Sequence, residues 1–182
     1  MDSVERFYMD ITRQYSRQSF QNRAKIRTPD GAQWISVPLM GHQFGSSIGE
    51  TRIDYSTTWQ QKHKKALQFN YGSTPFFEHY RDELFELIDR KYENLGALTV
   101  ASTRLVHRYL RIAGSLELGG TDGHASDDTS RSDDSWPYEP PAYLQNFDGF
   151  VPGLSILDIL FNHGPESTRI VRSGIKPRPT EP

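Results

Sequence analysis

Three consecutive segments carry apolar residues at intervals of three and four, and each such stripe demands a surface to cover it. Trp59, His63, Leu67 and Tyr71 share one side of the first predicted helix, with Ser56 or Thr57 as its N-cap. Thr74-Pro75 opens a second helix as an N-cap followed by an N1 proline, and Phe77, Tyr80, Leu84, Leu87 and Ile88 form its stripe. A third helix, near residues 97–113, repeats the pattern with Leu98, Ala101, Leu105, Tyr109 and Ile112, ending before Gly114. Helices apolar along one side are unstable alone in water, so these must pack on one another or on a sheet.

The sheet signal comes earlier. Residues 20–38 predict a β-hairpin, because two β-prone runs flank Pro29-Asp30-Gly31, where Pro presets φ and Gly accepts a positive one. Alternation along the first strand places Arg23, Lys25 and Arg27 on one face and Asn22, Ala24 and Ile26 on the other. The three cations suit a phosphate or carboxylate ligand; the plainer reading, and the favoured one, is the wet face of an antiparallel hairpin. Asn22 points its amide to the apolar side, where it needs partners. Another short strand is expected at 48–53.

Residues 119–141, "GGTDGHASDDTSRSDDSWPYEPP", contribute almost nothing to a core. Five aspartates stand against the single Arg131, and the small apolar content cannot offset ordering entropy, so a flexible acidic loop is expected. It lacks the register of a calcium loop, and His124 gains no metal role. Residues 172–182, with three prolines, predict a disordered tail. The 182 residues otherwise suit one domain, 1–182, large enough to bury a core without staples.

Composition removes several function classes. With no cysteine, disulfides, thiolate catalysis and cysteine-bound zinc are excluded. The net charge of −2 provides no global field for nucleic acid or an anionic membrane. No apolar run approaches the roughly 20 residues that span a bilayer, and the opening "MDSVERFYMD" has no secretory h-region, so a cytoplasmic location is the default.

In "GLSILDILFNHGPES", residues 153–167, Asp158 follows Ser155 at capping-box spacing. The expected arrangement sets the Ser155 hydroxyl on a backbone N–H and returns the Asp158 carboxylate to the N–H of the cap, near the positive end of the helix dipole. Gly164 then supplies a positive-φ stop, and Pro165 starts the next turn. This reading leads, although a carboxylate edging a cleft can also be catalytic. His63 has the same two readings: a core histidine bonded to a neighbour, which is favoured, or a general base in a site. Tyr71 either packs or offers its hydroxyl to a ligand.

Taken together, "YSRQSFQNRAKI", "PDGAQWISVPL", "IDYSTTWQQKH", "NYGSTPFFEHY", "YLQNF" and "GFVPGLSILDILFNHGPES" occur in the order and spacing of the WbqC-like protein family. The resemblance covers about residues 7–171 apart from the acidic loop. Its members are known mainly from gene clusters for surface polysaccharide and O-antigen synthesis and have been suggested to modify amino sugars. The motif set carries over onto Asn22, Arg23, His63, Tyr71, Phe76, Phe77, Tyr80, Tyr143, Gln145, Ser155 and Asp158. Family members usually begin with a further strand containing a proline-and-tyrosine motif; this chain starts at about the second strand, and its acidic loop is enlarged.

The resemblance implies a mixed α/β domain with a hairpin near the N-terminus and packed helices, an α+β layered sheet being the alternative. It implies one cleft lined by Asn22 and Arg23, by His63 and Tyr71, and by Tyr143, Gln145 and Asp158. The expected function is a small-group, acyl or aminoacyl transferase in amino-sugar metabolism, acting on a small-molecule or nucleotide-sugar ligand. His63 and Asp158 are the candidate catalytic groups, and Asn22, Arg23, Tyr71, Tyr143 and Gln145 the candidate binding groups. The alternative is a non-catalytic binding or assembly protein. No phosphate loop, nucleophile elbow or metal cluster occurs, so neither cofactor nor metal is expected. Nucleic acid and membrane insertion are not expected partners.

Overall fold

A computed structural model describes residues 6–17, 19–41, 45–119 and 138–175. Most of the acidic segment and the chain beyond 175 lie outside these residues. The architecture is mixed α/β, with small sheets formed largely by N-terminal strands and a packed set of helices. Parallel and antiparallel pairings both occur, in separate two-stranded sheets among the described residues rather than in one mixed sheet. β1 (Arg6–Asp10) runs parallel to β4 (Ser115–Gly119). β2 (Arg23–Thr28) and β3 (Gly31–Ser36) form the expected hairpin, with Thr28 opposite Gly31 and Arg23 opposite Ser36. Gly31 leaves the turn at φ 129°, a conformation open to glycine at little cost.

The free edge of β2 is closed by the rest of the chain. The Lys25 carbonyl accepts from the Ser155 N–H at 2.8 Å, and the Arg27 N–H donates to the Tyr71 hydroxyl at 2.7 Å. Alternate residues of a strand direct their backbone groups to the same edge, so one short strand is pinned by two distant segments.

The helical stripes turn inward. α1 (Trp59–Tyr71) buries Trp59, His63, Leu67 and Tyr71; α2 (Phe77–Asp89) buries Phe77, Tyr80, Leu84 and Ile88. α3 (Leu95–Tyr109) buries Leu95, Leu98 and Leu105. The helix starts differ from expectation. Ser56 bonds back to Asp54, and Thr58 stands at the α1 N-cap without a side-chain bond. Thr74 donates its hydroxyl to the Tyr71 carbonyl at 2.7 Å, making a turn that delays α2 to Phe77. Asn94 caps α3 by accepting the Ala97 N–H at 2.8 Å, which starts that helix two residues early.

The strand expected at 48–53 is reduced to isolated bridges, Leu39 with Ile53 and Arg52 with Asn94. A tight turn occupies its beginning: Glu50 accepts the Ser47 N–H at 3.0 Å, and the Thr51 N–H donates to the Ser47 carbonyl at 3.0 Å. α4 (Ile156–His163) ends at Gly164, whose φ is 52°, and a 3-10 turn leads into α5 (Ser167–Ser173). Ile26, Leu67, Tyr71, Phe77, Leu160 and Phe161 are sealed at the centre, where the Phe161 ring lies 5.0 Å from Tyr71 and 5.1 Å from Phe77. Among the described residues no helix is long and apolar enough to cross a membrane.

Candidate functional site

The motif residues fall into two groups along β2: Asn22, Arg23 and His63 border two cavities, and Tyr71, Tyr143, Gln145 and Asp158 gather about Arg27. The first group lies at the open end of β2. Asn22 braces the hairpin: its amide nitrogen donates to the Val37 carbonyl at 2.9 Å, and its oxygen accepts the Tyr15 hydroxyl at 3.2 Å. Arg23 donates from Nε to the Ser19 carbonyl at 3.0 Å, and its guanidinium lies 4.2 Å from the Trp34 ring centre. Asn22 and Arg23 line a cavity of about 830 Å³ together with Gln14, Tyr15, Arg17 and Thr51. Its described lining carries two arginines and no carboxylate side chain. That volume lies within the range of ligand pockets, and the charge favours an anionic group.

His63 enters from α1. Its Nε2 is 3.1 Å from the Ser36 carbonyl, so this nitrogen carries the proton and Nδ1 is the accepting one. Burial lowers its pKa below the ordinary 6.5 against the opposing effect of that carbonyl, so the ring is neutral at pH 7. The edge of the ring meets Trp59, with centres 5.1 Å apart. His63 lines a second cleft, of about 340 Å³, whose wall includes Asn22 and Arg23. A neutral imidazole, two guanidinium groups and the carboxamides of Gln14, Gln21 and Asn22 thus border two adjoining cavities.

In the second group Arg27, Tyr71, Gln145 and Asp158 are buried, and Tyr143 is half-buried at the wall of a further cavity of about 370 Å³. Arg27, assigned to the wet face by strand alternation, is 2% exposed, and so that assignment is corrected. Its Nε donates to the Gln145 carboxamide oxygen at 3.1 Å, and its terminal nitrogens donate to the carbonyls of Gly31 at 3.0 Å, Asp148 at 2.6 Å, and Thr28. The cause is a second layer: residues 145–151 cover the face that a lone hairpin would leave in water. Gln145 is itself clamped to Val151, accepting its N–H at 3.0 Å and donating to its carbonyl at 2.9 Å.

Asp158 is fully buried in the same region. The capping-box expectation is half correct. Ser155 accepts the Leu157 N–H at 3.3 Å, but the Ser155 N–H is used by Lys25, and the Asp158 carboxylate turns away from the cap to accept the Tyr143 hydroxyl at 2.8 Å. The other carboxylate oxygen has no hydrogen-bond partner of normal geometry among the described residues. Burial raises the Asp158 pKa, opposed by Tyr143, Tyr71 and the charge of Arg27. Burial and the neighbouring carboxyl group push the Tyr71 and Tyr143 hydroxyls far above their usual range. Apart from that one carboxylate oxygen, the polar side chains of this group are bonded to one another and to the backbone, which suits a structural brace more than a substrate site.

Tyr15, Arg17, Trp34 and Arg27 were missed or dismissed by sequence reasoning. Nothing local to "RAKIR" distinguishes a sealed Arg27 from the half-exposed Arg23 and Lys25, and Arg17 carries no periodic signal. Among the described residues no group of three or more His, Cys, Asp or Glu is placed to hold a metal ion.

Comparison with known proteins agrees with the motifs. A Mycobacterium tuberculosis protein named "Uncharacterized protein Rv1507c" is 30% identical, over 93% of this chain and 88% of that protein. No solved structure matches. Residues 1–131 and 135–170 match the pattern of the WbqC-like protein family, and the chain belongs to that family.

Proposed function

We propose that this chain is a small-group transferase acting in the cytoplasm on an amino sugar or related precursor of surface polysaccharide. What supports this reading above all is the cavity of about 830 Å³ whose described wall carries Arg17, Arg23 and Asn22, beside a cleft reached by neutral His63. The arginines hold an anionic donor or a nucleotide-sugar phosphate. His63 serves as general base: the acceptor nitrogen uses its lone pair to form the new bond to the donor carbonyl carbon, Nδ1 takes the proton, and the leaving group departs with its bonding pair. Asn22 holds the open end of the hairpin, where β2 begins with Arg23. Tyr71, Tyr143, Gln145 and Asp158, proposed with them as site residues, support this reading only from behind, through Arg27 and β2.

A non-catalytic binding role is the second reading, favoured by the full burial of Asp158 and its bond to Tyr143, which keep one of the two candidate catalytic groups out of the walls of both cavities. A thermal-shift screen with nucleotide sugars, acyl donors and amino acids separates the possibilities. A ligand at 100 times its Kd stabilises by about 2.7 kcal/mol. Arg23→Ala is expected to abolish the shift, and His63→Ala to abolish turnover while retaining it. A shift with no turnover under any donor favours the binding protein. Loss of folding in both variants makes the two residues structural.

A further inference from the structure

The second cleft differs in chemistry from the large cavity beside it. It runs between the hairpin and α3, and apolar side chains form the larger part of its wall: Ile35 and Val37 of the hairpin side and Leu157 on one hand, and the edges of the buried core residues Leu84, Ile88 and Leu98 on the other. Gln21, Thr99, Ser102 and Thr103 are polar members of the wall, the Thr99 and Ser102 hydroxyls being bonded to the α3 carbonyls of Leu95 and Thr99, and the remaining polar groups lie where the cleft meets its neighbours. Asn22 and Arg23 are shared with the cavity of about 830 Å³, and His63 with a third hollow of about 310 Å³. Protein interiors are close-packed, with few spaces larger than a water molecule. Away from those polar groups, a cleft of about 340 Å³ walled by leucine, isoleucine and valine side chains offers water few partners. An apolar guest fits it better than water or a sugar.

We propose that this cleft receives the apolar chain of an acyl group, with the carbonyl end of that group beside Asn22, Arg23 and His63. The inference rests on the transferase reading and deepens it by naming the donor: an aliphatic acyl group rather than an acetyl, formyl or aminoacyl one. The chain lies among the α1, α2 and α3 leucines, its carboxyl-derived head meets the arginine, and the polar acceptor occupies the larger cavity. The division follows from the two wall chemistries, since a hydroxyl-rich sugar would lose its hydrogen bonds against Leu67 and Leu98.

The test uses the full chain and a series of straight-chain carboxylates, from acetate through butyrate, hexanoate and octanoate to decanoate, measured by calorimetry. Each added methylene is expected to tighten binding about fourfold until the cleft is full, the equivalent of about 0.8 kcal/mol per buried methylene. Octanoate is expected to shift the methyl resonances of Leu67, Leu95 and Leu98. Ser102→Trp, which fills the cleft from α3, is expected to flatten the dependence on chain length and leave acetate unaffected; Thr103→Trp provides a second plug. Affinity independent of chain length, or octanoate shifts confined to methyls away from the cleft, overturns the inference. So does unchanged length dependence in both folded plug variants. Binding in the cleft without transfer to any amine removes the transferase and leaves the acyl site standing; transfer limited to acetyl groups, without length-dependent binding, does the reverse.

Discussion

The Gln145 carboxamide accepts a hydrogen bond from Arg27 Nε at 3.1 Å, across 118 positions of sequence. This contact joins the hairpin to the segment that leads into α4, and both partners are buried. Gln145→Leu removes the acceptor and also strands the Val151 N–H and carbonyl, so a loss of about 2–4 kcal/mol is expected in urea unfolding. Arg27→Met leaves the Gly31 and Asp148 carbonyls without a donor and is expected to cost a similar amount. The double variant is expected to fall short of the sum by about 1 kcal/mol or more, because the two side chains share one network. Strict additivity sinks the idea that they act together.

Asp158 gives the fold a dependence on pH. Its folded pKa is raised above 3.8, so as pH rises the unfolded chain releases this proton first. Stability therefore falls as pH climbs from about 3.8 through the raised folded value and levels off above it. Asp158→Asn is expected to remove that slope, measured as urea midpoints across the acidic range. Tyr143→Phe, which deletes the donor at 2.8 Å, is expected to raise the carboxyl pKa further and extend the slope upward.

His63 acts in the opposite sense. Its folded pKa is lowered below 6.5, so on acidification the unfolded chain takes up the proton first. Stability is full above 6.5 and falls as pH descends through the folded value. His63→Gln keeps a donor for the Ser36 carbonyl and is expected to lose this acid-side slope while remaining folded at neutral pH. An unchanged slope places the titration elsewhere.

Gly164 has φ 52° and ψ −123°, and a Cβ there would run into the Phe76 ring. Gly164→Ala is expected to cost about 2 kcal/mol or more from backbone strain and the displaced ring together. The measurement is equilibrium unfolding, and a loss below about 0.5 kcal/mol contradicts the close approach.

Ser155→Ala removes the α4 cap but leaves its own N–H on Lys25, so about 1 kcal/mol is expected rather than collapse of the hairpin edge. Thermal unfolding checks the size, and amide exchange at Ser155 checks that the edge bond survives. Fast exchange at that amide contradicts the separation of the two roles.

The sequence by itself determined the local features. The period of four made Trp59, His63, Leu67 and Tyr71 one face of α1, Pro29-Asp30-Gly31 set the hairpin, and Gly164 stopped α4. Each depends on backbone geometry within a few residues, where propensity and turn chemistry act directly. The family motifs marked Arg23 and His63 without saying what surrounds them.

Only the tertiary structure decided the rest. Alternation along β2 gave Arg27 the same prospects as Lys25, yet one is sealed and the other half-exposed, because a segment 118 positions away covers one end of the strand. The spacing of Ser155 and Asp158 fitted a capping box until the Ser155 N–H was taken by Lys25 and the carboxylate by Tyr143. A buried polar group goes to whichever partner best restores the hydrogen bonds lost with water, and that partner is chosen by packing, not by distance along the chain.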